Sequence, residues 1–316
     1  MKIITSLRVK TEKQEALKKR FREATFHFYS SMEEAKTRLA DADILVTYGE
    51  DVTEDLIQST RQLKWIMVMS AGIDRMPFQA IQEKNIMVTN VRGIHKIPMA
   101  EYTLGMILQV SKQAKQLHKQ EMDAVWNRSI RMSELYGKTV MIIGIGAIGG
   151  QIAKLCKAFG MRVIGINRSG SPASEVDVVC KMEVMAELLP DVDFVVSVLP
   201  STKETRHSLT KEHFVQMKDS AVFINIGRGD VVREDIIIEV MQNNLISHAV
   251  LDVFETEPLA QTSPLWKMEN VTVTPHISSI TANYLPRAFE IFEENLKRFL
   301  KKETNYINLI DVNRGY

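Results

Sequence analysis

Along the first hundred residues, short apolar runs recur at regular intervals: Ile3-Ile4, Phe26-His27-Phe28-Tyr29, Ile44-Leu45-Val46, Trp65-Ile66-Met67-Val68 and Met87-Val88-Thr89. Most are continuous rather than alternating, as in strands covered on both faces. The stretches between them, such as Glu12 to Phe21 and Met32 to Leu39, are rich in Lys, Glu, Ala and Leu and read as helices. This alternation predicts a parallel sheet with helices on both sides. Pro98 stands where a helix begins, and an apolar-rich helix is expected from there toward Lys119, with Pro98 marking the crossing into a second lobe.

A second alternation starts at Thr139, with strands expected at Arg162 to Ile166, Phe194 to Val198, Ala221 to Asn225, His248 to Asp252 and Val271 to Val273. The last helix, Pro286 to Lys302, spaces Phe289, Phe292, Leu296 and Phe299 three or four apart, which makes one buried face. Following the second sheet, it is expected to pack back on the first lobe. The fold class is therefore α/β, with two doubly wound parallel-sheet domains. Residues 1–98 with 282–316 form one, and 99–281 the other.

Composition narrows the class. A chain of 316 residues suits two cores better than one, and 45% hydrophobic with 25% charged residues is that of a soluble globular protein. No segment has the apolar length of a membrane span, and the start, Met1-Lys2-Ile3-Ile4-Thr5-Ser6, lacks a signal peptide's apolar stretch, so the cytoplasm is expected. Cys156 and Cys180 are far apart and suggest buried structural thiols, with no metal cluster or disulfide. A net charge of +1 leaves no footprint for nucleic acid, and Lys115 to Lys119 reads as a solvated helix face.

The second alternation opens on the chemistry. Val140-Met141-Ile142-Ile143 runs into Gly144-Ile145-Gly146-Ala147-Ile148-Gly149 and then Gln151-Ile152-Ala153-Lys154-Leu155: strand, glycine turn, helix. Gly144 permits the turn, Gly146 clears space for a pyrophosphate, and Gly149 lets helix and strand approach. The helix N-terminus offers N–H groups to the phosphates. About twenty residues on, where an acidic residue would bind a ribose diol, the chain has Asn167-Arg168-Ser169. Asn167 does not repel a 2′-phosphate, Arg168 can pair with it and Ser169 can donate to it, which favours NADP(H). Alternatively Arg168 is a surface residue and Asn167 binds a ribose hydroxyl of NAD(H).

The turn Ser70-Ala71-Gly72-Ile73-Asp74 follows a strand of the first lobe and could bring backbone N–H groups to an anion or be a plain turn. Each of three later strands is followed by an ionisable group, in Asn225-Ile226-Gly227-Arg228-Gly229, Asp252-Val253-Phe254-Glu255-Thr256-Glu257-Pro258 and Thr274-Pro275-His276. Singly, each fits a solvated or structural residue as well as a functional one.

Taken together, these motifs closely resemble those of the D-isomer-specific 2-hydroxyacid dehydrogenases, over nearly the whole chain. The resemblance implies a flavodoxin-like substrate domain built from both chain ends, an inserted Rossmann NAD(P)-binding domain and a homodimer. It implies that Arg228, Glu257 and His276 are catalytic. Gly144, Gly146, Gly149, Ala147 and Ile148 would meet the pyrophosphate. Leu199, Pro200, Thr205, Ile226 and Gly227 would line the cofactor site, and Asp252 would hold the nicotinamide amide. Ala71 and Gly72, with Arg228, would bind the substrate carboxylate. Members that use NAD carry Asp where this chain has Asn167.

The reaction can also be argued from its charges. Hydride arrival at the carbonyl carbon of a 2-oxo acid leaves charge on oxygen, so a proton donor and a cationic clamp are needed. His276 can donate, Arg228 can clamp, and Glu257 would favour the imidazolium. The expected substrate is a small 2-oxo or 2-hydroxy acid such as glyoxylate or hydroxypyruvate. Glu257, where formate dehydrogenases have Gln, disfavours formate oxidation, whereas phosphite oxidation stays open. Phosphoglycerate dehydrogenase is less expected, because the sequence stops at Tyr316 without the added regulatory domain many such enzymes carry. A dinucleotide-sensing corepressor is the reading from another class.

Overall fold

The computed structural model describes residues 1–70, 72–73 and 76–312. The chain divides into two compact units, Met1–Ile94 with Ala282–Tyr316, and His95–Thr281.

The first unit holds β1 (Lys2–Ser6), α1 (Thr11–Arg20), β2 (Thr25–Tyr29), α2 (Met32–Leu39), β3 (Ile44–Thr47), α3 (Glu54–Ser59), β4 (Trp65–Val68), α4 (Phe78–Glu83) and β5 (Met87–Asn90). Its strands are all parallel, in the order β2-β1-β3-β4-β5, the flavodoxin-like arrangement. Because side chains alternate along a strand, Ile4, Leu45, Ile66 and Val88 join the layer of α2 to α4, while Ile3, Ile44, Val46 and Trp65 face α1 and the last helix. Ser31 and Thr53 cap α2 and α3 by accepting Glu34 N–H and Leu56 N–H.

The second unit runs α5 (Lys96–Ser111), α6 (Ala114–Met122), β6 (Thr139–Ile143), α7 (Ala147–Ala158), β7 (Arg162–Ile166), β8 (Val178–Cys180), α8 (Met185–Leu188), β9 (Phe194–Ser197), α9 (Lys211–Val215), β10 (Val222–Asn225), α10 (Glu234–Gln242), β11 (His248–Leu251) and β12 (Val271–Val273). Its parallel sheet has the order β12-β11-β10-β9-β6-β7-β8, with the reversal between β6 and β9 that marks a dinucleotide fold. Val140 and Ile142 pack toward α5 and α7, Met141 and Ile143 toward α9 and α10.

The chain returns to the first unit in α11 (Tyr284–Leu300). Phe289, Phe292 and Leu296 are buried there, each contributing roughly 2 kcal/mol by leaving water, and Trp65 stacks on Phe292 at 5.7 Å and on Phe299 at 5.5 Å. Glu293, also buried, takes ion pairs from Lys13 and Arg20 of α1. Past α11, Leu309 bridges antiparallel to Thr89 on the outer strand β5.

Five expectations change. The helix after the first lobe starts at Lys96, so Pro98 sits inside its first turn, where a missing N–H costs little. It does not run unbroken to Lys119: Gln113 takes a left-handed φ of 55°, separating α5 from α6, although no glycine or proline marks the place. β8 was not anticipated, since its half-buried Val178–Cys180 is too short to show a pattern. Cys180 is only half-buried, whereas Cys156 is buried and its thiol pKa is pushed up to about 12. Lys115 is not simply solvated: its Nζ donates to the Val271 carbonyl at 2.9 Å.

Candidate active site

Strand register brings the motifs to one edge. Ile143, Ser197 and Asn225 are in-line partners, Asn225 pairs with Leu251, and Leu251 with Val273. These five strands therefore end in one row, and the residues that follow, Gly144, Val198, Ile226, Asp252 and Thr274, begin five adjacent loops at the carboxyl edge where ligands of such sheets collect.

Each loop is folded by its own side chains. At the first, a Cβ on Gly149 would overlap the Gly144 carbonyl, so helix and turn meet only because glycine stands there, and Gly144 itself has φ 107°. Ala147 and Ile148 are the first residues of α7, whose opening N–H groups have no partner within a helix. A Cβ on Gly146 would point into open space. That space, beside a helix N-terminus, fits a pyrophosphate. In the loop after β9, Thr205 Oγ1 donates to Pro200 O at 2.6 Å and accepts Thr202 N–H at 2.9 Å, so Thr205 shapes the Leu199-Pro200 turn. Gly227 has no room for a Cβ beside the Leu199 backbone.

Asn225 builds the Arg228 turn by accepting Gly227 N–H at 3.2 Å and donating to Arg228 O at 3.0 Å. Arg228 is half-buried, donates from Nη1 to Gly227 O at 2.9 Å, and lies near His95. Burial, then the Arg228 charge, lowers the His95 pKa, so this imidazole is neutral at pH 7. A Cβ on Gly229 would overlap the Phe254 backbone, so glycine lets the Arg228 turn touch the loop that carries Glu257.

His276 Nδ1 and Glu257 Oε2 are 2.8 Å apart, and Glu257 Oε1 accepts Phe254 N–H at 3.0 Å. The carboxylate is thus held by backbone on one side and offered to the ring on the other. With Nδ1 turned to Glu257, Nε2 is the atom left to exchange a proton, and 47% exposure of the His276 side chain makes it reachable. His276 has φ 52°, a left-handed conformation unusual for histidine. Its N–H bonds to Asp252 O at 2.8 Å.

Asp252 is wholly buried, and its carboxylate accepts from Thr274 Oγ1 at 2.6 Å, Ile277 N–H at 2.9 Å and Ser278 N–H at 3.0 Å. It folds the histidine turn, a task its place in the motif does not announce. Asn167 is similarly engaged: Oδ1 accepts Gly170 N–H at 2.6 Å and Nδ2 donates to Ser171 O at 3.0 Å, while Ser169 Oγ points to Asn167 Oδ1 at 3.3 Å. Arg168 is exposed. Glu204 lies within its field, the Glu204 carboxyl being held below its usual range by Thr202, its own backbone and, more weakly, Arg168.

In the first unit, Ser70 Oγ donates to Gly72 O at 2.8 Å and Tyr48 O at 3.0 Å, holding the exposed Gly72 turn beyond β4. Ala71 lies outside the described residues. Sequence reasoning missed His95 and Asn225. Only Asn225 carried a signal, an amide two residues before a glycine, the pattern of a side-chain-closed turn.

Residues 104–278 match the model of the D-isomer specific 2-hydroxyacid dehydrogenase, NAD binding domain. The chain belongs to the D-isomer specific 2-hydroxyacid dehydrogenase family. Among relatives of this family, the D-3-phosphoglycerate dehydrogenase of Methanocaldococcus jannaschii is 34% identical over 89% of this chain and 54% of its own length. The chain thus spans about half of that protein. The glyoxylate reductase of Aeropyrum pernix is 31% identical over 86% of this chain and 84% of its own. Among solved structures, a family protein from Aeromonas salmonicida subsp. salmonicida superposes with a TM-score of 0.89 at 31% identity, covering 98% and 99% of the two chains. An NADPH-dependent glyoxylate/hydroxypyruvate reductase from Sinorhizobium meliloti, in complex with NADP and sulfate, gives 0.83 at 26% identity, covering 100% and 99%. No helix among the described residues is long and apolar enough to cross a membrane.

Proposed function

We propose that this family member is a cytoplasmic, NADP(H)-dependent reductase of small 2-oxo acids such as glyoxylate or hydroxypyruvate. The observation that carries the reading is the His276–Glu257 hydrogen bond at the carboxyl edge of a dinucleotide sheet. When bound, the nicotinamide supplies the hydride. His276 Nε2 delivers the proton to the carbonyl oxygen, and Glu257 holds the ring in place for the transfer. Arg228 clamps carboxylate and carbonyl. Asp252 can accept the nicotinamide amide as a further donor, since a carboxylate offers about four acceptor positions.

Arg168 and Ser169 take the 2′-phosphate, a preference supported by Asn167 and by the NADP complex of the Sinorhizobium relative. The exposed apolar side chains of Leu117, Met122, Val125 and Trp126 on and after α6 favour a homodimer, which a sedimentation mass of one chain would rule out. The deciding experiment is a screen of 2-oxo acids with NADPH and NADH in parallel, on wild type and Arg168→Ala. Turnover with NADPH, weakened in the variant more than turnover with NADH, is expected. Tight dinucleotide binding with no turnover of any acid would indicate a cofactor sensor instead, and equal losses with both cofactors would remove Arg168 from the 2′-phosphate.

A further inference from the structure

His276 sits in a conformation that histidine does not favour, so something else must hold it there. Downstream, Ile277 and Ser278 N–H are both tied to the Asp252 carboxylate. Upstream, Thr274 Oγ1 lies 2.6 Å from Asp252 Oδ1 and also 2.6 Å from the hydroxyl of Tyr102. The order of donors follows from charge. A carboxylate only accepts, so Thr274 donates to Asp252, its oxygen is left to accept, and Tyr102 is the donor. Burial raises the Tyr102 phenol to about 12, and it keeps its proton throughout the neutral range.

Tyr102 lies on α5, remote in sequence from all three catalytic motifs. One heptad further along the same helix, Gln109 Nε2 donates to Thr272 Oγ1 at 3.4 Å. Residues of one helical face thus meet Thr272 of β12, the outermost strand of its sheet, and Thr274, the first residue past its end. Among the described residues that strand has a ladder neighbour only at β11, and its last residue is Val273, immediately before the histidine turn.

We propose that Tyr102 is a positioning residue for His276, acting through Thr274 and Asp252 to fix the turn that presents the ring to Glu257. This rests on the reading of His276 as the proton donor. Tyr102→Phe removes one hydroxyl and keeps the ring that packs beneath it. The variant is expected to lose about tenfold in kcat, with the KM for the 2-oxo acid within about twofold, because the donor is misplaced while the clamp is untouched. Its kcat against pH profile should differ from that of wild type as the ring loses register with Glu257. Thr274→Ser, which keeps the relay hydroxyl, should stay near wild type, and Thr274→Val should behave as Tyr102→Phe or worse.

An independent readout is the imidazole NMR titration of His276, assigned by its loss in His276→Gln. In Tyr102→Phe that resonance should move or change its midpoint while those of the six other histidines stay. If wild type turns over no 2-oxo acid yet the resonance moves, the positioning role stands and the reductase reading fails. If wild type turns over and Tyr102→Phe leaves both the pH profile and the resonance unchanged, positioning is overturned, even where the melting temperature drops.

Discussion

The two sheets are built alike, parallel and covered on both faces, yet their buried carboxylates do different work. In the first unit the most deeply buried carboxylate of a helix, Glu293, joins α11 to α1 through Lys13 and Arg20. In the second unit Asp252 is buried more deeply still and folds the loop of His276, as buried Asn225 folds that of Arg228. One set holds helices together; the other holds turns open to solvent. A buried carboxylate that folds an exposed turn fixes backbone that apolar packing cannot reach, whereas one between helices adds to packing already present.

The sharpest test of that contrast is His276→Ala. It should lower kcat at least about a hundredfold with modest change in KM, as loss of a general acid does, and leave the melting temperature nearly unchanged because the side chain is half exposed. Near-normal turnover would remove His276 from the mechanism. Glu293→Ala should do the reverse, costing about 2 kcal/mol in a denaturation midpoint with kcat within about twofold. A large kcat loss with unchanged stability would break the distinction between the two sets.

The smallest expected effect concerns His248, at the opposite, amino end of the second sheet, where burial and then Lys115 depress its pKa from 6.5 to about 4. Between those values the unfolded chain holds a proton that the folded chain refuses, so stability falls as pH drops from 6.5 toward 4. Discounted for partial exposure, this is about 2 kcal/mol. His248→Gln should flatten that part of a melting-temperature profile, while the kcat profile near neutrality stays as in wild type. An unchanged acid limb of the melting profile would contradict a neutral His248.

The strands were legible because runs such as Trp65–Val68 are buried on both faces, which leaves continuous apolar sequence as their signature. The break at Gln113 was not, since no residue there requires a left-handed turn. The same holds at the site. Gly144 stands out in the sequence by its strand–turn–helix setting, whereas Arg228, Glu257 and His276, ambiguous singly, are picked out by the resemblance of their motifs to those of the family. What Asp252 and Tyr102 do is not visible, because it depends on which way a carboxylate faces and on a helix distant in sequence meeting β12.

Because the His95–Thr281 unit interrupts the other, the five-stranded sheet lacks α11 until the whole of that unit has been translated. During that interval the face bearing Ile3, Val46 and Trp65 waits for Phe289 and Phe292, while the interrupting unit already has all its strands. Order of emergence from the ribosome thus favours maturation of the middle first, and the nascent first lobe is the portion that a chaperone would have to shield.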